Sequence, residues 1–218
     1  MKIPSCKNEL ALASKGKAAV GIDEAGRGPL AGPVVAGAAF AKPDTYEREF
    51  PEKRLIRDSK SLSLKQRKGI YDFMINDGRF FFGIAEVSPA TIDRINILNA
   101  SLLAMRLALE NLFKEIEDSG VVFSNPYLLV DGNRIIPNIK HNQENFSSGD
   151  SDVFSIAAAS IAAKVYRDNL MDEFDKQFKG YGFSRHRGYG TREHLLKLNE
   201  LGPCKIHRRS FAPVRRLL

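Results

Sequence analysis

Cysteine is scarce: Cys6 and Cys204 are the only two among 218 residues. They form no CxxC pair and no zinc-ligand spacing, which excludes a disulfide scaffold and a zinc finger. Long apolar runs are also missing. The longest uncharged stretch, Gly28 to Ala41, spans 14 residues and is broken by Gly and Pro. A bilayer span needs about 20 apolar residues, so no membrane helix is expected. The first residues, Met1 to Glu9, lack the apolar centre of a secretory signal. The four histidines, His141, His186, His194 and His207, show no metal-binding spacing and read as structural or surface groups. No internal repeat or low-complexity tract is present. These absences leave the expectation of a soluble, cytoplasmic chain, and 43% hydrophobic with 27% charged residues is ordinary globular composition.

What is present is an uneven charge. The formal net charge is +7, yet Lys176 to Leu218 carries eleven Lys and Arg against Glu193 and Glu200, a net +9 that leaves the body at −2. A near-neutral body with a basic C-terminal fifth is the footprint of a polyanion partner or a solvated basic face.

Periodicity predicts alternating strands and helices. Ala18 to Asp23 reads as a buried strand, Glu24 to Pro33 as a Gly/Pro-rich loop and Val34 to Phe40 as a second strand. Ser63-Leu-Lys-Gln66 is a capping box opening a helix to about Asp77. Arg79 to Val87 is a third strand, and Ser88-Pro89 starts one long helix to about Glu117 with Ile95, Leu98, Leu102, Met105 and Leu109 on its core face. Pro126 to Val130 is a strand stopped by Asp131-Gly-Asn. Helices follow over Asp152 to Phe178 and Thr191 to Leu201. The pattern predicts an α/β fold around one sheet.

Four acids end or punctuate these elements: Asp23, Glu24, Asp131 and Asp168. Strand-end carboxylates lie where α/β sheets place sites. Small residues from Ala157 to Ala163 let the helix approach the sheet, and Lys164 and Asp168 share its inner face. Carboxylates that converge repel one another unless hard cations fill the gap. Two such cations suit phosphodiester hydrolysis, one activating water and the other steadying the leaving 3′-oxygen. In a regular strand Asp23 and Glu24 point to opposite faces, so a shared site requires the chain to leave β geometry at Glu24, which Gly26 and Gly28 permit.

The loop Glu24-Ala-Gly-Arg-Gly-Pro-Leu-Ala-Gly-Pro33 has neither the phosphate-loop ending nor the dinucleotide glycine spacing. It reads as a rigid turn or as a place where backbone approaches a ligand. Tyr181 to Thr191 mixes basic, aromatic and Gly residues, fitting either phosphate and base contacts or an anchored surface turn. Lys60, in Asp58-Ser-Lys-Ser-Leu-Ser63, is a candidate phosphate contact.

These segments together resemble the ribonuclease HII family. Val20-Gly-Ile-Asp-Glu-Ala-Gly-Arg-Gly-Pro-Leu-Ala-Gly-Pro is similar to its opening motif, and Asp58-Ser-Lys-Ser-Leu-Ser to its second. Leu128-Leu-Val-Asp-Gly-Asn, Ser155 to Asp168, Tyr181 to Thr191 and His207-Arg-Arg-Ser-Phe follow in the family's order. The resemblance spans residues 18 to 214. Asp152 and Tyr166 depart from it, standing where a basic or neutral and a smaller residue are expected.

The resemblance implies a ribonuclease-H-like mixed sheet flanked by helices with a C-terminal helical basic part. Residues 1–17 would be an N-terminal extension, 18–175 the catalytic domain and 176–218 a substrate-binding part packed on it. It implies a metal-dependent endonuclease, using Mn²⁺ or Mg²⁺, on the RNA strand of RNA–DNA hybrids. It further implies cutting 5′ of single ribonucleotides in duplex DNA, leaving 3′-OH and 5′-phosphate, a role in ribonucleotide excision repair. Asp23, Glu24, Asp131 and Asp168 become the catalytic carboxylates and metal ligands. Gly26, Arg27 and Gly28 become the loop that meets the ribonucleotide 2′-OH, and Tyr189 the aromatic that packs on the sugar at the RNA–DNA junction. Lys60, Lys164, Arg185 and Arg187 are further substrate contacts. The expected partners are hybrid and ribonucleotide-containing duplex, with no membrane, and the expected state is a monomer. A non-catalytic hybrid-binding protein and a metal-dependent phosphatase or exonuclease are the competing readings. Acids beside phosphates disfavour the first of these, and an end-blocked duplex separates the second.

Overall fold

The computed structural model describes residues 3–218. Its first elements are α1 (Lys7–Ala13), β1 (Ala18–Ala25), β2 (Val34–Ala41), α2 (Asp44–Glu47), α3 (Leu64–Asn76) and β3 (Phe80–Val87). Then come α4 (Pro89–Ser119), β4 (Pro126–Asp131), β5 (Asn142–Phe146), α5 (Gly149–Asp152) and α6 (Phe154–Gln177). The C-terminal part holds α7 (Phe183–His186), α8 (Arg192–Leu201) and α9 (Ala212–Arg215). The five strands form one mixed sheet in the order β3-β2-β1-β4-β5. β1 pairs antiparallel with β2 and parallel with β4, and β4 pairs parallel with β5.

A sheet buried on both faces needs apolar residues at every position rather than at alternate ones, and all eight residues of β2 are buried. Val20, Ile22, Val34, Ala36 and Ala38 face α4, through Ala100, Ala104, Met105, Ala108 and Leu112. The other face packs on Phe154, Ala158, Ile161 and Ala162 of α6 and on Ile70 and Met74 of α3. The small residues of α6 bring its backbone onto the sheet: a Cβ on Gly21 would collide with the Ser155 carbonyl carbon.

The predicted capping box is present in both halves, with Gln66 N–H donating to Ser63 Oγ at 3.3 Å and Ser63 N–H to Gln66 Oε1 at 3.0 Å. Four expectations need correction. β1 does not end at Asp23: its ladder with β2 continues through Ala25↔Val35, because β2 supplies partners that far. The long helix is interrupted at Asn96, whose φ of 65° and ψ of 165° leave the helical region. The Asn96 side chain then caps the following turn by accepting from Asn99 N–H at 3.0 Å. That break moves the buried stripe to Ala100, Ala104, Ala108 and Leu112, leaving Leu98 and Leu102 only partly buried. β5 went unpredicted, since Asn142-Gln-Glu-Asn-Phe146 is a polar edge strand without apolar alternation. Finally, the helix predicted from Asp152 begins at Phe154, after a break at Val153 that separates α5.

The N-terminal residues are tied into the fold. Glu9 of α1 is fully buried and accepts from both the backbone N–H and the hydroxyl of Ser155, each at 2.8 Å, so it caps the first turn of α6.

Candidate active site

Strand register places the first two acids. The parallel pairing of β1 and β4 reaches Ile22↔Val130, so Asp23 and Asp131 are the next residues on adjacent strands, at the C-terminal edge of the sheet. β5 pairs Phe146 with Asp131, and the chain turns immediately into α5. There Gly149 N–H donates to Asp131 Oδ1 at 2.7 Å, which sets Asp150 beside the same edge. Glu24 follows Asp23, and its N–H donates to Asp23 Oδ1 at 2.7 Å. The two acids serve one site without the departure from β geometry expected at Glu24. The strand reaches the rim at Ala25, and the left-handed turn comes at Gly26, with φ 95°.

The charges of these groups act on one another. Burial, then the charges of Glu24, Asp131 and Asp150, hold the Asp23 carboxyl well above its ordinary range, while Ser160 opposes this by hydrogen bonding to it. Burial also raises Glu24, with Arg27 opposing and Asp131 adding to the rise. Burial raises Asp150, opposed by Lys60 and reinforced by Asp131. A neighbouring carboxylate raises a carboxyl because it disfavours a second negative charge. Two cations stand against this set: Lys60 Nζ at 3.4 Å from Asp150 and Arg27 Nη1 at 3.4 Å from Glu24.

Asp150, rather than the expected Asp168, is the further acid whose charge reaches Asp23. Asp168 is buried, but its oxygens are taken by Lys164 Nζ at 2.6 Å and Arg67 Nη1 at 3.0 Å, with Arg187 Nε at 4.0 Å. The shared face predicted for Lys164 and Asp168 is real, and it closes an ion pair instead of presenting a free ligand. Ser160 is the α6 residue at the strand ends, and eight further residues carry Asp168 about 12 Å along the axis. The signal for Asp150 was an acid directly after a glycine, hidden because the strand before it was unseen.

Beside the acids lies a cavity of 200 Å³ whose lining includes Glu24, Gly26, Arg27, Gly28, Lys60, Lys164 and Tyr189. Burial lowers Lys164 despite Asp168. The half-exposed Tyr189 ring lies over the loop, its Cε1 3.7 Å from where a Cβ on Gly28 would stand. Tyr181, by contrast, is buried, stacks on Phe183 and donates its hydroxyl to the Gly202 carbonyl at 2.6 Å. Arg187 is turned inward to the Asp168 carbonyl at 2.9 Å and to the Asp172 carboxylate, so it is not a free phosphate contact. Arg185 pairs with Glu193 on the surface, outside the cavity lining.

Sequence reading missed two side chains that fix the loop. Arg167 and Arg208 are both fully buried. Arg167 donates to the carbonyls of Pro33, Arg187 and Ala31 at 3.0, 3.0 and 3.1 Å. Arg208 donates to those of Gly32, Arg27 and Gly26 at 3.0, 2.9 and 2.6 Å. Burial lowers Arg167 to about 10, and burial with the charge of Arg167 lowers Arg208 to about 9. Gly26 also leaves the room that Arg167 fills: a Cβ there would collide with the guanidinium.

Among the described residues, no three His, Cys, Asp or Glu side chains converge tightly enough to hold a metal ion unaided. The chemistry of Asp23, Glu24, Asp131 and Asp150 nevertheless fits a hard divalent cation: all donors are carboxylate oxygens, and their mutual repulsion is what such a charge relieves.

The family model described as Ribonuclease HII matches residues 20–214. The chain is 44% identical over 200 residues to Ribonuclease HII of Chlamydia abortus, covering 90% of this chain and 85% of that protein. To Ribonuclease HII of Francisella philomiragia it is 43% identical over 201 residues, covering 91% and 98%. Its fold is similar to that of the ribonuclease H2 from Pyrococcus horikoshii, with TM-score 0.68, 23% identity and coverage of 92% and 96%.

Proposed function

Because the chain belongs to the ribonuclease HII family of metal-dependent endoribonucleases, which degrade the RNA of RNA–DNA hybrids, we propose that it also cuts 5′ of single ribonucleotides embedded in duplex DNA. The observation that carries this reading is one cavity shared by a strand-end acid, Glu24, the Gly26-Arg27-Gly28 turn and the Tyr189 ring. A ribonucleotide differs from its neighbours only by a 2′-OH, which both donates and accepts hydrogen bonds. A turn fixed by two buried guanidinium groups can meet that hydroxyl with its backbone at little entropic cost. The Tyr189 face covers the sugar on the 3′ side.

Asp23, Glu24, Asp131 and Asp150 would hold Mg²⁺ or Mn²⁺, with phosphate oxygens and water completing coordination, as is usual for Mg²⁺ beside a phosphate. When bound, the cation supplies activation of water and neutralisation of the charge that develops on the phosphate. Lys60 and Lys164 stand in the same cavity and bind phosphate oxygens. Hydrolysis forms a bond from water oxygen to phosphorus and breaks the bond to the 3′-oxygen, leaving 3′-OH and 5′-phosphate. None of the rings of His186, His194 and His207 lines the cavity, so no imidazole is placed there to drive 2′-OH attack.

The exposed basic residues of 176–218, among them Lys176, Lys179, Lys205 and Arg209, supply nonspecific attraction to the duplex. No described helix is long and apolar enough to cross a membrane. The two free cysteines suit a reducing cytoplasm. The test is an end-blocked DNA duplex with one internal ribonucleotide, incubated with Mg²⁺, with Mn²⁺ and with EDTA. Cleavage at the ribonucleotide with 3′-OH ends supports the reading. Cyclic phosphate ends, or full activity in EDTA, overturn it.

A further inference from the structure

Beneath the loop that carries Tyr189 lie three imidazoles that the reaction does not use. His194 is fully buried, His207 is 2% exposed and His186 is 7% exposed. His194 Nδ1 is 2.9 Å from the Tyr189 carbonyl oxygen, and its Nε2 is 3.0 Å from His207 Nε2. His207 Nδ1 receives the Cys204 backbone N–H at 3.0 Å and lies 3.1 Å from Cys204 Sγ. His186 accepts Gly188 N–H on Nδ1 at 3.2 Å and is 2.9 Å from the Tyr181 carbonyl through Nε2. The rings of His186 and His194 stack at 4.4 Å.

Both ends of this chain dictate the same proton positions. A carbonyl only accepts, so His194 carries its proton on Nδ1 and its Nε2 is bare. His207 must then donate from Nε2, which leaves its Nδ1 bare, the state that the Cys204 N–H requires. His186 is fixed in the same manner, bare at Nδ1 and protonated at Nε2. Every ring nitrogen has a partner, His207 Nδ1 having two in the N–H and the Sγ of Cys204, and the His194–His207 pair is neutral. One more proton on His194 would oppose two N–H donors across 3.0 Å, and one more on His207 would oppose the Cys204 N–H.

We propose that the neutral His194–His207 pair is a positioning device that holds the Tyr189 backbone, so that discrimination in favour of a single ribonucleotide is lost when the pair takes up a proton. This rests on the reading of Tyr189 given above. The titratable groups facing the pair are Tyr181 and His186 from the residues around α7 and Cys204 from the closing loop, and the Tyr189 carbonyl lies above it. Glu193, at the start of α8, acts on His186. Among the described residues no carboxylate hydrogen-bonds to any of the three rings, and Glu193 is taken by Arg185. Burial, with His194 beside it, lowers His207 to about 4, and burial also lowers His194. A loop that has opened exposes ordinary imidazoles near pH 6.5. The opened form therefore binds more protons, and the closed form is favoured above about pH 6.5 and lost as pH falls toward about 4.

The experiment measures, on the full chain, the ratio of cleavage rate on a single-ribonucleotide duplex to that on an RNA–DNA hybrid. His194→Leu removes the donor to Tyr189, while His194→Asn keeps an N–H where Nδ1 stood. The ratio divides out losses common to both substrates, including poor folding and weak metal binding. In His194→Leu it falls about tenfold, the worth of one buried hydrogen bond. His194→Asn restores most of it and weakens the pH dependence of the ratio between about pH 4 and 6.5, the range in which the unmodified chain loses it. An unchanged ratio in His194→Leu, or a pH-independent ratio in the unmodified chain, overturns the proposal. A second measurement needs no substrate: nitrogen-15 imidazole spectra at about pH 7.5 should show His194 as the Nδ1–H tautomer and His207 as the Nε2–H tautomer. The reverse tautomers or a charged ring overturn it. If no single-ribonucleotide duplex is cut at all, the functional reading fails first, and these spectra alone decide the proton positions.

Discussion

Arg208 Nη2 donates to the Gly26 carbonyl oxygen at 2.6 Å, joining residues 182 apart in sequence, and the guanidinium is fully buried. Its other nitrogens hold Arg27 and Gly32, so a single side chain from the C-terminal part fixes the turn beside the acids. A buried cation is tolerated here because each of its three nitrogens donates to a carbonyl.

Replacing Arg208 therefore strands three carbonyls. Arg208→Met should cost about 3 kcal/mol or more, read from the denaturant midpoint, and should lower turnover on both hybrid and single-ribonucleotide substrates. Arg208→Lys should not rescue it, since one ammonium cannot span three carbonyls in a plane. A melting curve like that of the unmodified protein for either variant would refute the clamp.

Asp150→Asn and Asp168→Asn should move stability in opposite directions. Asp150→Asn relieves repulsion with Asp131 and Asp23, so in EDTA the protein melts higher while turnover falls by orders of magnitude. Asp168→Asn breaks the buried pair with Arg67 and should cost about 3 kcal/mol. The measurement is the melting temperature of both variants in metal-free buffer. Shifts of the same sign would show that the two acids have been assigned the wrong roles.

The raised carboxyls also fix a pH dependence. Asp23, Glu24 and Asp150 hold their protons more tightly in the folded chain than in the unfolded one. The folded state then binds more protons, so their contribution to stability is complete below the ordinary carboxylate range and declines as pH rises through their folded values. A divalent cation reverses that decline. The gain in melting temperature on adding Mg²⁺ should therefore grow between about pH 5 and 8. A gain that does not vary with pH would contradict the shared acidic site.

The two tyrosines give a further contrast. Tyr189→Ala should leave the melting temperature nearly unchanged, because the ring is 44% exposed, yet lower single-ribonucleotide cleavage more than Tyr189→Phe, which keeps the stacking face. Tyr181→Ala should instead destabilise by about 3 kcal/mol, as for a buried aromatic. Gly28→Ala should slow both substrates by crowding the sugar against Tyr189. If Tyr181→Ala, not Tyr189→Ala, selectively loses single-ribonucleotide activity, the roles are reversed.

By itself the sequence determined whatever depends on neighbours in the chain. The apolar runs of β1, β2 and β4, the Ser63–Gln66 capping box and the pairing of Lys164 with Asp168 one helical turn away are set by local periodicity and side-chain reach. The acids at 23, 24 and 131 were legible because each stands where an apolar strand stops. Tertiary structure alone decided the fourth acid, since Asp150 reaches the site through the β4–β5 register and the Asp131–Gly149 hydrogen bond. A polar edge strand carries no apolar period to announce it. Only the folded chain, likewise, shows that Arg167 and Arg208 are clamps, that Arg187 faces inward and that His194 hydrogen-bonds to His207 while stacking on His186. Long-range partners are chosen by packing and by the need to satisfy buried polar groups, and neither leaves a periodic trace in the sequence.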